Sequence, residues 1–352
     1  MPVPPLTGKN ADWMAGFTNR DDLTLADITF PASHDAGLSH GVGGYTPYKG
    51  GGGYKADTIC QYYDISGQLE TGSRAFDLRI DTKGGVARCY HGDYLNMGGY
   101  GHSADEVFSH VNLFLQAHAG EIVIVRISHT KESVGVHRLI QQNIHSSRLV
   151  ECGPRNLATV PLSKLRGKAI VIFDSKALAK TNPMGGLHRL RAYANKKTGQ
   201  KNAPGEGLPI CGSYAGKSAD LKKVTTVALE SGNQHGTHEL TQGKHDHLFM
   251  VYWQEALKVE AKATKGNNER LKTLSKPDKA KGLHYNLDYL LNLHRGLPYV
   301  SKGPPKGPSS TVTLSNRAHH RPNWINLDFI CDAVVDKIVE FNTELLPGGR
   351  GW

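Results

Sequence analysis

The feature that most limits what this chain can fold into is a series of short, unbroken apolar runs. EIVIVRI at 121–127, AIVIF at 169–173, HLFMVYW at 247–253 and NWINLD at 323–328 are too short to span a membrane and too apolar for strands with one wet face. Strands of this kind are covered on both sides, as in a parallel sheet with helices packed outside it. The intervening sequence fits. Positions 103–119 place Val107, Val111, Phe114 and Leu115 at helical spacing, 134–144 forms a second helix, and 330–345 closes the chain as an amphipathic one. DITFP at 27–31 reads as a strand, 86–90 as a short partner strand, and RAFDLRI at 74–80 as an alternating strand with Asp77 and Arg79 on one face. Strands alternating with helices along the whole length predict an α/β fold: a single, irregular, closed (β/α) barrel of the TIM type with parallel strands.

No repeat and no linker divides the 352 residues, so a single domain spanning 1–352 is expected, and a monomer. Hydrophobic residues make up 38% and charged residues 21%, which excludes global disorder. No window holds the roughly 18–20 apolar residues of a membrane helix. The opening MPVPPLTGKN lacks the apolar centre of a signal peptide. The protein is therefore either secreted, with a leader outside this numbering, or cytoplasmic. The five cysteines, Cys60, Cys89, Cys152, Cys211 and Cys331, are irregularly spaced with no CxxC pair, which argues against a zinc cage. Mostly buried thiols are expected, with one disulfide if the protein is secreted. The net charge of +10 favours an anionic partner: nucleic acid, an acidic polymer or a negatively charged bilayer. No nucleic-acid motif and no ordered basic-aromatic platform is present, so nucleic acid ranks last. The basic stretch 258–281 and the Pro/Gly loop 303–310 read as solvated rim.

The polar residues at strand ends carry the chemistry. His34 and Asp35 follow the first strand, Asp77 and Arg79 close the second, His91 follows the third, and Asp328 ends the last. If these strands share one direction, two histidines, an arginine and three carboxylates meet at one rim. Arginine offers a forked cation to phosphate oxygens. Two imidazoles can divide base and acid roles near neutrality, and carboxylates behind them fix their tautomers. That set suits phosphoryl transfer and lacks the carboxylate cluster of a Ca²⁺ or Mg²⁺ site. Taken singly, each residue also has an ordinary structural use: a turn, a cap or an ion pair.

Five strings together carry a resemblance: PASHDAG at 31–37, GSRAFDLR at 72–79, YHG at 90–92, EIVIVRISH at 121–129 and WINLD at 324–328. They resemble the motifs of the bacterial phosphatidylinositol-specific phospholipases C, most specifically in the first 130 residues. The resemblance puts the catalytic motifs in 27–130 and 323–330 and rim insertions in 180–320. It implies that His34 is the general base on the inositol 2-hydroxyl, with Asp328 behind it. Arg79 would hold the phosphate where eukaryotic relatives use Ca²⁺. His91, supported by Asp35 and Asp77, would protonate the leaving diacylglycerol. It implies no cofactor and no metal, with phosphatidylinositol in membranes as substrate.

The chain departs from that family in its sugar contacts. Tyr214 is placed like a ring-stacking tyrosine, but Gly212 stands where a carboxylate is expected and Asp174 where an arginine is expected. His129 sits where a basic sugar contact is expected. The Gly/Tyr/Lys-rich stretch 41–55, with Tyr45, Tyr48 and Tyr54, is read as a loop that docks transiently on an anionic bilayer. His245 and His247 sit at the start of a strand and are read as structural, not as a zinc pair. Rival readings are a metal-dependent phosphodiesterase of glycerophosphodiesters or sphingolipids on a related barrel, and a non-catalytic phospholipid-binding module.

Overall fold

The protein is described from a computed structural model covering residues 4–17, 19–40, 46–47, 58–92, 98–130, 134–150, 155–174, 178, 185–187, 190–192, 207–213, 247–253, 287, 291 and 322–343. Twelve strands form one sheet. They are β1 (Phe30–Ser33), β2 (Thr46–Pro47), β3 (Ala75–Lys83), β4 (Val86–Gly92), β5 (Gly98–Ser103), β6 (Ile122–Ser128), β7 (Lys168–Phe173), β8 (Gly186–Leu187), β9 (Leu190–Ala192), β10 (Ile210–Ser213), β11 (Leu248–Trp253) and β12 (Trp324–Leu327). Nine of them pair parallel in the order β8-β7-β6-β3-β1-β12-β11-β10-β9. No ladder joins β8 to β9 among the described residues, so the barrel is irregular and its hydrogen bonding does not close there. Four α-helices are described: α1 (Ile65–Thr71), α2 (Ala104–Ala117), α3 (Val136–Asn143) and α4 (Asp332–Thr343). None is long and apolar enough to cross a membrane.

Strand parity sorts the core. On β6, Ile122 and Ile124 pack inward with Phe30, Ala32, Ala75, Ile170, Ile172, Met250 and Trp324. Val123, Val125 and Ile127 face outward onto Val107, Val111 and Leu115 of α2 and Leu139 and Ile140 of α3. On the far side, Val251, Ile325 and Leu327 meet Val334, Ile338 and Phe341 of α4. Full burial of each such side chain stabilises the fold by roughly 1.5–3 kcal/mol, and both faces of the sheet draw on it. The same two-residue period that points Ile122 and Ile124 inward also points Arg126 and Ser128 inward.

The third motif reaches the rim by a different route from the one expected. β3 is nine residues long. Ala75 to Arg79 pair with β6 in the barrel, while Ile80 to Lys83 run beyond it and pair antiparallel with β4. The turn between them is Gly84-Gly85, with φ of +57° and +80°, values that favour glycine and suit a two-residue hairpin. β4 is thus no barrel strand: it folds back over the rim and returns His91 to it. β5 then covers β4 so closely that a Cβ on Gly98 would lie 1.9 Å from the His91 carbonyl oxygen. Strand β5 and helix α1 are additions to the sequence reading. The long apolar strands and the helices α2, α3 and α4 lie within a few residues of their expected bounds.

Candidate active site

Parity brings the polar residues together. His34 continues the inward face of β1 (Phe30, Ala32), Asp328 that of β12 (Trp324, Asn326), and Asp77 and Arg79 that of β3. All stand at the carboxyl ends of parallel strands, where the rim of such a barrel gathers its loops. Three non-glycine residues there adopt positive φ: Asp35 (40°), His129 (51°) and Phe329 (52°). Each lies one or two residues past a barrel strand. Left-handed backbone of this kind costs on the order of 1–3 kcal/mol per residue and persists only when neighbours over-determine it. Gln61 does that for two of the three. Its amide nitrogen donates to the carbonyls of His34 (2.8 Å) and Leu327 (2.9 Å), and its oxygen accepts from the Ile330 N–H (3.0 Å). The Cys60 carbonyl accepts from the Phe329 N–H at 2.6 Å.

Asp35 is the hub. Its side chain is fully buried. One oxygen lies 3.2 Å from Arg79 Nε; the other lies 3.3 Å from His34 Nε2 and 3.6 Å from His91 Nε2. Neither oxygen makes a hydrogen bond of good geometry. His34 Nδ1 meets Asp328 Oδ1 at 2.8 Å. Burial alone would push the His34 imidazole down, but Asp35 and Asp328 outweigh it and raise it to about 9. Burial would likewise raise Asp35, but Arg79, His34 and His91 hold its carboxyl down at about 2. His91 goes the other way: burial lowers it, Arg79 and His34 add to that, and Asp35 offsets only part. Near neutral pH the proton of this pair therefore sits on His34.

A second inward group lies beside the first. Asp77 Oδ1 accepts from Arg126 Nη1 (2.8 Å) and from the Ser128 hydroxyl (3.3 Å), and Arg126 Nη1 also donates to the Tyr252 hydroxyl oxygen (2.9 Å). Asp174, exposed at the end of β7, stands 3.9 Å from Arg126 Nη2. His129 Nδ1 is 3.2 Å from the Ser128 hydroxyl, and its carbonyl accepts from the Tyr90 hydroxyl. The structure therefore assembles His34, Asp35, Arg79, His91 and Asp328 in one cluster, with Asp77, His129 and Asp174 next to it. Asp77 Oδ1 is taken by Arg126 and Ser128, and among the described residues Asp77 makes no hydrogen bond to His91. Tyr45, Tyr48, Tyr54, Tyr214 and His245 lie outside the described residues, and His247 is buried just before β11. Cys60, Cys89 and Cys331 are free thiols.

Arg126, Tyr252 and Gln61 went unassigned in the sequence. The signal for Arg126 was present: a lone cation in an apolar strand, in phase with Ile122 and Ile124, must be buried and therefore paired. Nothing in the sequence marks Gln61. Among the described residues, His34, Asp35 and Cys60 each offer a donor atom within 4.8 Å of the others. That set is a poor match for Ca²⁺ or Mg²⁺, which want several oxygens, whereas here one carboxylate already faces a guanidinium.

No family model matches this sequence, and no curated protein matches it. Solved structures do. A structure of the phosphatidylinositol-specific phospholipase C of Staphylococcus aureus superposes over 96% of this chain and 99% of its own, with TM-score 0.55 and 15% identity. The enzyme of the same name from Listeria monocytogenes covers 94% of this chain and 98% of its own, with TM-score 0.53 and 16% identity. The chain has the fold of the bacterial phosphatidylinositol-specific phospholipases C. The irregular parallel barrel expected from the apolar runs is thus the one these enzymes use, reached here with about one residue in six in common.

Proposed function

We propose that this protein is a phospholipase C that cleaves phosphatidylinositol by intramolecular phosphoryl transfer, without a metal ion. The observation that carries the reading is the Asp35 hub: two imidazole Nε2 atoms approach one carboxylate oxygen at 3.3 and 3.6 Å while a guanidinium holds the other. Two proton-transfer groups and one fixed cation are thus spaced to surround a single phosphodiester.

In this reading His34 Nε2 takes the proton of the inositol 2-hydroxyl, and Asp328 holds the opposite ring nitrogen. The freed oxygen attacks the neighbouring phosphorus. Arg79 binds the non-bridging oxygens as charge builds in the five-coordinate state. His91 gives its proton to the departing diacylglycerol oxygen, and an inositol 1,2-cyclic phosphate is left. The nucleophile belongs to the substrate, so proximity supplies several kcal/mol. The resting site carries its proton on His34, whereas the reaction needs it on His91. The two forms differ only in where one proton sits, so their ratio is constant between the two pKa values. The activity profile keeps a flat top, bounded on the alkaline side by His34 at about 9 and on the acid side by the lowered His91.

Arg126, Asp77, Asp174 and His129 would then form the wall that receives the inositol ring, with Arg126 on β6 serving in place of the arginine the family carries near the end of β7. The test is a vesicle assay in EDTA with phosphatidylinositol, phosphatidylcholine and sphingomyelin as separate substrates. Release of water-soluble phosphate from phosphatidylinositol alone is expected. Cleavage that needs an added divalent ion, or that prefers sphingomyelin, would shift the assignment to another phosphodiesterase.

A further inference from the structure

Cys60 has no part in the phosphoryl-transfer scheme, yet the fold pins it against the scheme's central residues. Its N–H donates to the Leu38 carbonyl, on the loop after His34, and its carbonyl accepts from Phe329, next to Asp328. The thiol is free and half-buried, and among the described residues it makes only a long contact, 3.7 Å, to the Thr58 carbonyl. Its sulfur, a ring nitrogen of His34 and a carboxylate oxygen of Asp35 all lie within 4.8 Å of one another.

We propose that Cys60, His34 and Asp35 form an inhibitory site for a thiophilic divalent cation such as Zn²⁺ or Cd²⁺. Sulfur, nitrogen and oxygen donors in threes, with a fourth position open, are what such ions take. The spacing suits it. Two donors each about 2.0 Å from a tetrahedral zinc stand about 3.3 Å apart, and His34 Nε2 to Asp35 Oδ2 is 3.3 Å. Both Asp35 oxygens are buried and lack hydrogen bonds, so a ligand atom is ready without breaking one. The other His34 nitrogen is held by Asp328 at 2.8 Å, the outer carboxylate that ordinarily orients a metal-bound imidazole. Binding forms the sulfur–metal and nitrogen–metal bonds and releases two protons to solvent, one from the thiol and one from the His34 imidazolium. Arg79, 3.2 Å from the other Asp35 oxygen, repels the ion and keeps the site weaker than a structural zinc cage. An ion seated there occupies the His34 lone pair and the space of the phosphate. The inference goes beyond the phosphodiesterase reading and does not depend on it, because binding is followed without turnover.

The experiment is a Cd²⁺ titration of the full chain, following the ultraviolet charge-transfer band of a thiolate–cadmium bond, with Cys60→Ala and Cys331→Ala alongside. The wild type and Cys331→Ala should show the band saturating at one ion per chain, and Cys60→Ala should lack it. His34→Ala should need at least about tenfold more Cd²⁺ for half-saturation, the usual cost of a lost ligand or its support. Where phosphatidylinositol cleavage is measurable, Zn²⁺ should inhibit the wild type, with inhibition at least about tenfold weaker in Cys60→Ala at unchanged basal rate. A band that survives Cys60→Ala, or that His34→Ala leaves unmoved, overturns the proposal. A wild type that shows no band overturns the proposal as well, whereas a wild-type band that Cys60→Ala abolishes, found with no phospholipase activity, supports the site and counts against the proposed function alone.

Discussion

The two ends of the barrel each set an arginine against a buried carboxylate, and they treat it differently. At the amino end Arg74, just before β3, meets Glu121, just before β6, at 2.6 Å, both fully buried. Its remaining donors go to the carbonyls of Leu69, Ser73, Asn10 and Ala11, and Phe114 lies 4.6 Å under the guanidinium carbon. All five Arg74 N–H groups are filled, and of the pair's polar atoms one, Glu121 Oε1, has no hydrogen bond among the described residues. Burial pulls the Arg74 guanidinium down and pushes the Glu121 carboxyl up, so this pair survives on its hydrogen bonds. At the carboxyl end Arg79 has Asp35 at 3.2 Å and no hydrogen bond on Nε, and Asp35 has none on either oxygen. A buried guanidinium whose donors are filled holds the fold together; a partly exposed one facing a buried carboxylate with no hydrogen bond on either oxygen is poised for something else. The contrast separates architecture from site with no appeal to relatives.

Five substitutions can break or sharpen that contrast. The largest effect is expected from His34→Ala or His91→Ala, which should lower turnover at least about a thousandfold while leaving the denaturation midpoint near wild type; near wild-type rates in either variant would remove its assigned role. Glu121→Ala should do the reverse. It strands a buried guanidinium and should cost about 3–5 kcal/mol of stability by urea unfolding, while the rate per folded molecule is kept.

Asp328→Asn comes next, with a rate loss of about ten- to a hundredfold. It also moves the pH profile. Two carboxylates raise His34 to about 9, and removing one lowers it, so the alkaline limb should shift to lower pH; Asp328 is also the weakest of the influences on His91, so the acid limb should move the same way but less. An alkaline limb that does not move would mean His34 is not the group that sets it. Tyr252→Phe should have the smallest effect. It removes one hydrogen bond to Arg126, worth about 0.5–1.5 kcal/mol, and should appear in KM for phosphatidylinositol more than in kcat.

The same contrast explains what could be read from the sequence. The two-residue period fixes which face of a strand a residue occupies. That made Asp77 and Arg79 legible as partners in one pocket, and the unbroken runs at 121–127 and 169–173 made the covered parallel sheet legible with them. The period says nothing about which strand lies next door. His91 therefore read as the end of a barrel strand, though it returns on a hairpin whose Gly84-Gly85 turn is marked only by the two glycines. The resemblance implies Asp77 behind His91; the partner it has here, the in-phase cation Arg126 one strand over, lies inside a run that reads as apolar. Gln61 and Cys60 act through a loop, where no period exists to report direction. The positions proposed to face the sugar were the least legible, because a ring of hydroxyls is recognised by spacing between strands and not by any pattern along one.

Phosphorus NMR of the protein with phosphatidylinositol vesicles in EDTA tests the central claim most directly. The account predicts that a five-membered cyclic phosphodiester resonance appears first and gives way only slowly to the inositol monophosphate. A monophosphate formed with no cyclic precursor, or no reaction until a divalent ion is supplied, would contradict it.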